Sequence, residues 1–419
     1  MKRTRLLMFL LAVSLMCGFV PVAAVTPPRP DSIPFSHSES RLILWEENPV
    51  DPAVTGRIND FAYKTAVRIF QDSTDNINYS PLSLYFALSL SAAGAGGDTL
   101  TALLTCLGAD DAEQLSRENG RIFRRTYTDN EIGKLTIANS LWAAESFRGQ
   151  PVTFQPDFLE TAGAEYYAHV EQVDFDGDAG EKIAAWIREA TGGLLEPSIE
   201  TSSEQVLSLI NTIHFYDEWT DRFSEKRTKP DIFTRLDGSE VEVDFMNRED
   251  GSASFQIGEH FSRSSLSLKN GGEMVFVLPD EDVSITEILQ DEAALRDAFQ
   301  GGDDFYGDVI WQIPLFDFDS SLDLGAAMAD LGLASLFLET ADFSRLVDQP
   351  IFVTDILQET PVAIDEKGVS AAAFTEIAYA GAAPPSGRAE MRLDRPFLYG
   401  IRNNLGQLLF IGAVFDPSR

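Results

Sequence analysis

The sequence has 419 residues, 44% of them hydrophobic and 23% charged, a balance that excludes a disordered chain and one embedded in a bilayer. Its formal net charge of −34 repels phosphate backbones, so no nucleic-acid partner is expected, and acidity alone names no other partner. A chain this long buries a large core without disulfides or metals. Of its two cysteines, Cys17 lies in an N-terminal leader, so Cys106 stands alone once that leader is removed.

The leader carries Lys2, Arg3 and Arg5, then a nearly continuous apolar run from Leu6 to Val20, then the small residues Val22-Ala23-Ala24. That order reads as a secretion signal over residues 1–24, cleaved after Ala24. Two alternatives stand beside it: an uncleaved membrane anchor, since Leu6 to Val25 is about long enough to cross ~30 Å of hydrocarbon, and lipid attachment at Cys17. Only a retained leader would make a membrane a partner. Residues 25–54 are read as a linker, because residues 25–45 carry four prolines and several serines and look extended. From about Thr55, helical spacing appears in Ile58, Phe61, Ala62, Thr65, Ala66, Ile69 and Phe70, with Asn59, Asp60, Lys64 and Arg68 off that stripe. Ser80-Pro81 opens a second helix, a serine cap followed by a proline in the first turn, and Gly94, Gly96 and Gly97 end it.

Strands are expected at Ser208 to Phe215, Glu273 to Leu278, Val309 to Leu315, Pro396 to Ile401 and Leu408 to Phe415, the last two joined as a hairpin by Asn403-Asn404-Leu405-Gly406. Helices crowd the first half and strands the second without strict alternation. The fold class is therefore α+β, with residues 55–419 as one domain.

No sequence pattern for an enzyme is found: no G-x-S-x-G elbow, H-E-x-x-H pair, phosphate loop or cysteine–histidine metal spacing. His37, His169, His214 and His260 are scattered, and His214, between Ile213 and Phe215, reads as a structural histidine. No cofactor is expected, no metal site, and no basic patch of the kind that binds heparin. The segment EKGVSAAAFTEIAYAGAA at 366–383, followed by Pro384-Pro385-Ser386-Gly387-Arg388, reads as an exposed irregular loop. Its first half could also be a strand, with Val369, Ala371, Ala373 and Thr375 on one face and Ser370, Ala372 and Phe374 on the other.

Several runs together resemble the serpin family over about residues 55 to 417. These are N-I-N-Y-S-P-L-S (76–83), G-A-G-G-D-T (94–99), L-T-I-A-N-S-L-W (135–142), N-T-I-H-F-Y-D-E-W-T-D-R-F (211–223), A-D-F-S (341–344), E-K-G-V-S-A-A-A-F-T (366–375) and M-R-L-D-R-P-F-L-Y-G-I (391–401). They occur in the family's order and spacing, and the resemblance suggests a secreted member of prokaryotic type, monomeric. It implies a large central mixed sheet with further sheets, eight to nine helices and an exposed reactive loop at about 366–390. It also implies suicide inhibition: a serine-type protease is trapped as its acyl-enzyme when the loop inserts into the main sheet. The alternative within the family is a non-inhibitory binding or chaperone-like role.

By the same resemblance the hinge is Glu366, Lys367, Gly368, Val369, Ser370, Ala371, Ala372, Ala373, Phe374 and Thr375. The sheet-opening region is Ser80, Ser83, Asn211, Trp219 and Gln358. Counting from Glu366 puts the reactive bond between Ala382 and Ala383, which suits elastase-like or subtilisin-like proteases. Tyr379 and Arg388 are the alternatives. Two positions depart from the family pattern. Gln358 stands where a histidine is common, and Leu315 follows Pro314 where a lysine usually pairs with the hinge glutamate, which leaves Glu366 without that partner.

Overall fold

The computed structural model describes residues 24–71, 73–369 and 387–419. All of the leader but Ala24 lies outside the described residues. The first long helix spans Pro52–Phe70: the Asp51 side chain accepts the Ala53 N–H, and Pro52 occupies the first turn, where no N–H is needed. Its expected stripe is buried but for the half-buried Ile69, and so is Asn59, which the sequence had placed off the stripe. The Asn59 amide donates to Gly406 O at 2.9 Å and accepts from Leu408 N at 3.0 Å, so the C-terminal hairpin caps what would otherwise be an exposed face.

The second helix, Pro81–Gly94, starts at the Ser80 cap and is buried at every residue but Ala93. A helix buried all round needs its polar side chains satisfied internally. Ser89 and Ser91 do this by donating to the carbonyls of Tyr85 and Ala87 at 2.7 and 3.0 Å. It packs against the Gly133–Ala144 and Leu207–Glu218 strands on one side and Leu408–Val414 on the other, so it forms the centre of the core.

Two large sheets flank it. The eight-stranded main sheet runs Ala24–Val25, His169–Val173, Gly133–Ala144, Leu207–Glu218, Gly368–Val369, Asp355–Ile364, Phe316–Asp323, with Thr128–Asn130 paired to Gly133–Ala144. It is mixed: Gly133–Ala144 is parallel to His169–Val173 and antiparallel to Leu207–Glu218, which is in turn parallel to Asp355–Ile364. The nine-stranded second sheet contains Asp303–Pro314, Glu240–Ile257, Glu273–Pro279 and, at its C-terminal end, Phe397–Arg402 and Leu408–Val414. Those last two form the expected hairpin, and Gly406 in its turn has φ 74°, a left-handed conformation that favours glycine.

The N-terminal segment departs from the extended linker read from its prolines. Ala24–Val25 pairs with His169–Val173 at the sheet edge, and Ser38–Glu47 is helical. The four prolines all precede residue 35, so nothing in Ser38–Glu47 forbids helical φ or removes a donor. The described residues hold ten α-helices against the eight to nine expected, this one and the single turn Gly325–Met328 among them.

Candidate functional site: the mouth of the main sheet

Leu207–Glu218 and Asp355–Ile364 pair directly only from Ser208/Asp355 to Thr212/Glu359. Beyond that they part, and Gly368–Val369 fills the space at the far end, with Val369 set against Asp217 on one side and Ile364 on the other. A side chain at 368 has no room, because a Cβ there would lie 2.4 Å from Asp217 O and 2.7 Å from Glu218 Cα. Val369 is buried.

A tight turn delivers the chain into this gap. Asp365 Oδ1 accepts the N–H groups of Lys367 and Gly368 at 2.8 and 3.1 Å, and Asp365 N donates to Gly368 O at 3.0 Å. The segment after Leu207–Glu218 holds the turn from outside: the Trp219 indole donates to Asp365 O at 2.8 Å, Trp219 N to Lys367 O at 3.0 Å and Phe223 N to Glu366 O at 2.9 Å. Glu366 is not left alone by the loss of a lysine after Pro314. The Thr228 hydroxyl donates to Glu366 Oε1 at 2.5 Å, and Leu315 instead donates its N–H to Asp244 O. Sequence reasoning missed Thr228, which lies far from the hinge along the chain in a stretch with no motif.

Beneath the point where the two strands separate lies a buried polar floor. Gln358 accepts Ser80 N–H at 2.8 Å and donates to Ser80 O and Asn211 Oδ1, both at 3.0 Å, so its oxygen and both N–H groups are used. Asn211 donates to Ser83 O at 3.0 Å and Asn139 Oδ1 at 2.6 Å. Ser80, Ser83, Asn211 and Gln358 are thus brought together as the sequence expected, whereas Trp219 works at the opposite end, on the hinge. Gln358 is an amide and carries no charge at any pH, unlike the imidazole the family pattern suggests there.

The floor continues through residues the sequence did not single out. Asn78 N donates to Ser320 Oγ, Thr360 Oγ1 donates to Asn78 O, and the Tyr399 hydroxyl donates to Asn78 Oδ1, at 2.8 to 2.9 Å. Thr360 was findable, since it stands two residues from Gln358 and so shares its face of the strand.

At the mouth, Asp217 and Glu218 are buried carboxylates, which lie within the 211–223 run but were not singled out there. Glu218 is held by Lys269 at 2.8 Å and Arg222 at 3.1 Å. Asp217 accepts N–H groups from Asn270 and Glu218, yet burial outweighs them and pushes its carboxyl up to about 7.

The structure does not describe the rest of the expected loop: Ser370, Ala371, Ala372, Ala373, Phe374, Thr375, Tyr379, Ala382 and Ala383 all lie outside the described residues. The chain returns at Gly387–Arg392, a strand parallel to Asp303–Pro314. Arg388 is opposite Asp308 there and pairs with Glu390 at 3.4 Å, so its backbone belongs to the second sheet and is not presented as a scissile bond. His214 is half-buried and held near pKa 4 by desolvation, a neutral ring within a strand.

Gln358→Leu would strand the Ser80 N–H and the Asn211 carbonyl in the core, at a cost of about 3 kcal/mol, while the Ser80 carbonyl keeps the Leu84 N–H. A urea titration should show the midpoint falling with little change in slope. Asp217 gives a test in pH. Its folded pKa is raised above that of an unfolded carboxyl, so its contribution is fully present below about pH 4 and is lost as pH rises to about 7, amounting to about 4 kcal/mol at most. Asp217→Asn removes this titration. Melting temperatures of the two proteins should diverge in favour of the variant between pH 4 and pH 8, whereas a constant offset would contradict the raised pKa.

The serpin (serine protease inhibitor) family profile matches residues 57–417. Serpin-Z2A of Triticum aestivum is 30% identical over 373 residues, covering 83% of this chain and 92% of the relative. Among solved structures, the thermophilic serpin tengpin in its native state superposes with a TM-score of 0.78 at 27% identity, covering 88% of this chain and 95% of that one. Arabidopsis AtSerpin1 in its native stressed conformation gives 0.76 at 25% identity, covering 88% and 100%. The wheat and Arabidopsis relatives are plant proteins and lend no support to the prokaryotic type expected from the sequence. On the profile match and on the fold, the chain belongs to the serpin family.

Proposed function

We propose that this protein inhibits serine-type endopeptidases by trapping them as acyl-enzymes while its reactive loop enters the main sheet. The observation that carries the reading is the placement of Gly368–Val369 between Leu207–Glu218 and Asp355–Ile364. The first two residues of a loop strand already occupy the lane that the others would follow. The residues next in line are uncharged, and those on the side of Val369, namely Ala371, Ala373 and Thr375, demand little space. Family members are in general protease inhibitors and not enzymes. The Ala382–Ala383 bond fits proteases with small pockets, elastase-like or subtilisin-like. The protein acts after export, its leader removed behind Ala24, which leaves Val25 able to keep its pairing with Val170.

Mixed with elastase-, subtilisin-, chymotrypsin- and trypsin-like enzymes, the protein should give a complex that survives denaturing electrophoresis with one of the first two. The released peptide should begin at Ala383 by mass spectrometry. Val369→Arg would place a guanidinium between two buried strands, at a cost on the order of several kcal/mol. It should keep cleavage and lose the complex. Cleavage without a complex by every enzyme would favour the non-inhibitory role. N-terminal sequencing of the exported protein should read Val25 first, and an intact leader would overturn the proposed processing.

A further inference from the structure

Two arginines beside the main sheet rest on aromatic rings, and the carboxylate nearest in effect, Glu131, accepts from Phe35 N and is lowered in pKa by backbone N–H groups and partly by Arg41. Arg41, on the Ser38–Glu47 helix, and Arg125, near the end of the Ala112–Thr126 helix, form no ion pair among the described residues. Each guanidinium instead lies over an aromatic ring, Arg41 at 5.0 Å from Phe35 and Arg125 at 5.3 Å from Trp45. Arg41 Nη1 and Arg125 Nε are buried atoms with no hydrogen-bond partner, and a third such atom is Asn404 Oδ1. A buried donor without an acceptor is costly, and more so on a charged group.

All three residues line one cavity of about 60 Å³, closed on one side by the N-terminal arm and on the other by the start of Gly133–Ala144 and the Asn403–Gly406 turn. A water needs roughly 10–15 Å³ of such space, so the cavity takes a few waters or one small polyatomic ion. The other cations on its wall are engaged: Lys134 lies 3.7 Å from Asp129, and Arg402 lies 3.1 Å from Glu273. Asp217 also lines it, with its oxygens accepting from Asn270 and from Glu218 N. Arg41 and Arg125, each with a buried nitrogen that has no hydrogen bond, therefore define its character, and guanidinium forks match the spacing of oxyanion oxygens.

We propose that this cavity binds a small oxyanion, a carboxylate, sulfate or phosphate, held between Arg41 and Arg125; a ligand that also carries an O–H, hydrogen phosphate or a hydroxycarboxylate, donates it to Asn404 Oδ1. Arg41 comes from the N-terminal arm and Arg125 from the domain, so the ligand joins the two. The site adjoins Tyr216 and Asp217, which precede Glu218 at the mouth of the main sheet, but its existence is independent of inhibition.

Isothermal titration of the full protein with phosphate, sulfate and glycolate, at ionic strength fixed with chloride, tests this. Saturable binding of one equivalent of at least one probe is expected, and the strongest of the three tells whether the natural anion is tetrahedral or a hydroxycarboxylate. Arg41→Gln and Arg125→Gln should each weaken binding at least about tenfold, since each removes a charge-assisted hydrogen bond. Arg117→Gln, on the same helix but paired to Glu113 at the surface, should leave it unchanged. If either glutamine variant fails to fold, Arg125→Lys keeps the charge, loses the planar fork and should still bind more weakly than the parent. No saturable heat with any probe would mean that the cavity holds water only. Binding that survives loss of either arginine would place the anion elsewhere. Either result overturns the proposal.

Discussion

The structure depends on two parallel strands that stop pairing halfway. Direct pairing of Leu207–Glu218 with Asp355–Ile364 ends at Thr212 and Glu359, and Gly368–Val369 takes up the ladder at Asp217, Glu218 and Ile364. Residues 213–216 and 360–363 therefore have strand partners on their outer sides only, among the described residues. Backbone N–H and C=O groups turned toward a gap are costly unless something supplies their bonds. A sheet built this way stores a place for one more strand, and what surrounds the gap can be understood as holding it ready.

Two devices hold it. At the closed end, the network of Gln358, Ser80, Asn211 and Asn139 fastens both strands to the buried Pro81–Gly94 helix, so the point of separation is set by hydrogen bonds and not by apolar packing, which would slide. Asn139 Nδ2 and the Ser83 hydroxyl remain without partners there, so the network is incomplete as it stands. At the open end, Trp219, Phe223 and Thr228 grip the Asp365–Gly368 turn, and Gly368 admits the backbone where no side chain fits. Asp217, whose carboxyl titrates near neutrality, sits in register with Val369, so the charge at the gap's entrance depends on the pH at which the protein works.

Two positive charges near the hinge, Lys269 and Arg222, are tied to the buried Glu218, whereas Arg41 and Arg125 lean on aromatic rings. Both arrangements lie around the end of the main sheet where Val369 enters, the first through Glu218 and the second through the cavity that Asp217 shares.

Much of this was legible in the residues. Ser80-Pro81 marked its helix because capping is local chemistry, the C-terminal hairpin followed from its turn residues, and Asn211 and Trp219 stood out in one motif, although the structure sets Asn211 in the floor and Trp219 on the hinge. What the sequence could not determine are matters of position across long separations. Asn59 lay off its helical stripe until a hairpin some 350 residues later covered it. Thr228 replaced a missing lysine because an unrelated turn brings it to Glu366, and Arg388, plausible by counting, is committed to a strand by its pairing with Asp303–Pro314. Asp217 acquired its shifted pKa from burial that no sequence window reports. Local rules of capping, turns and periodicity act over a few residues and can be read directly. Burial and partner choice depend on which distant segments meet, and only the tertiary structure decided that.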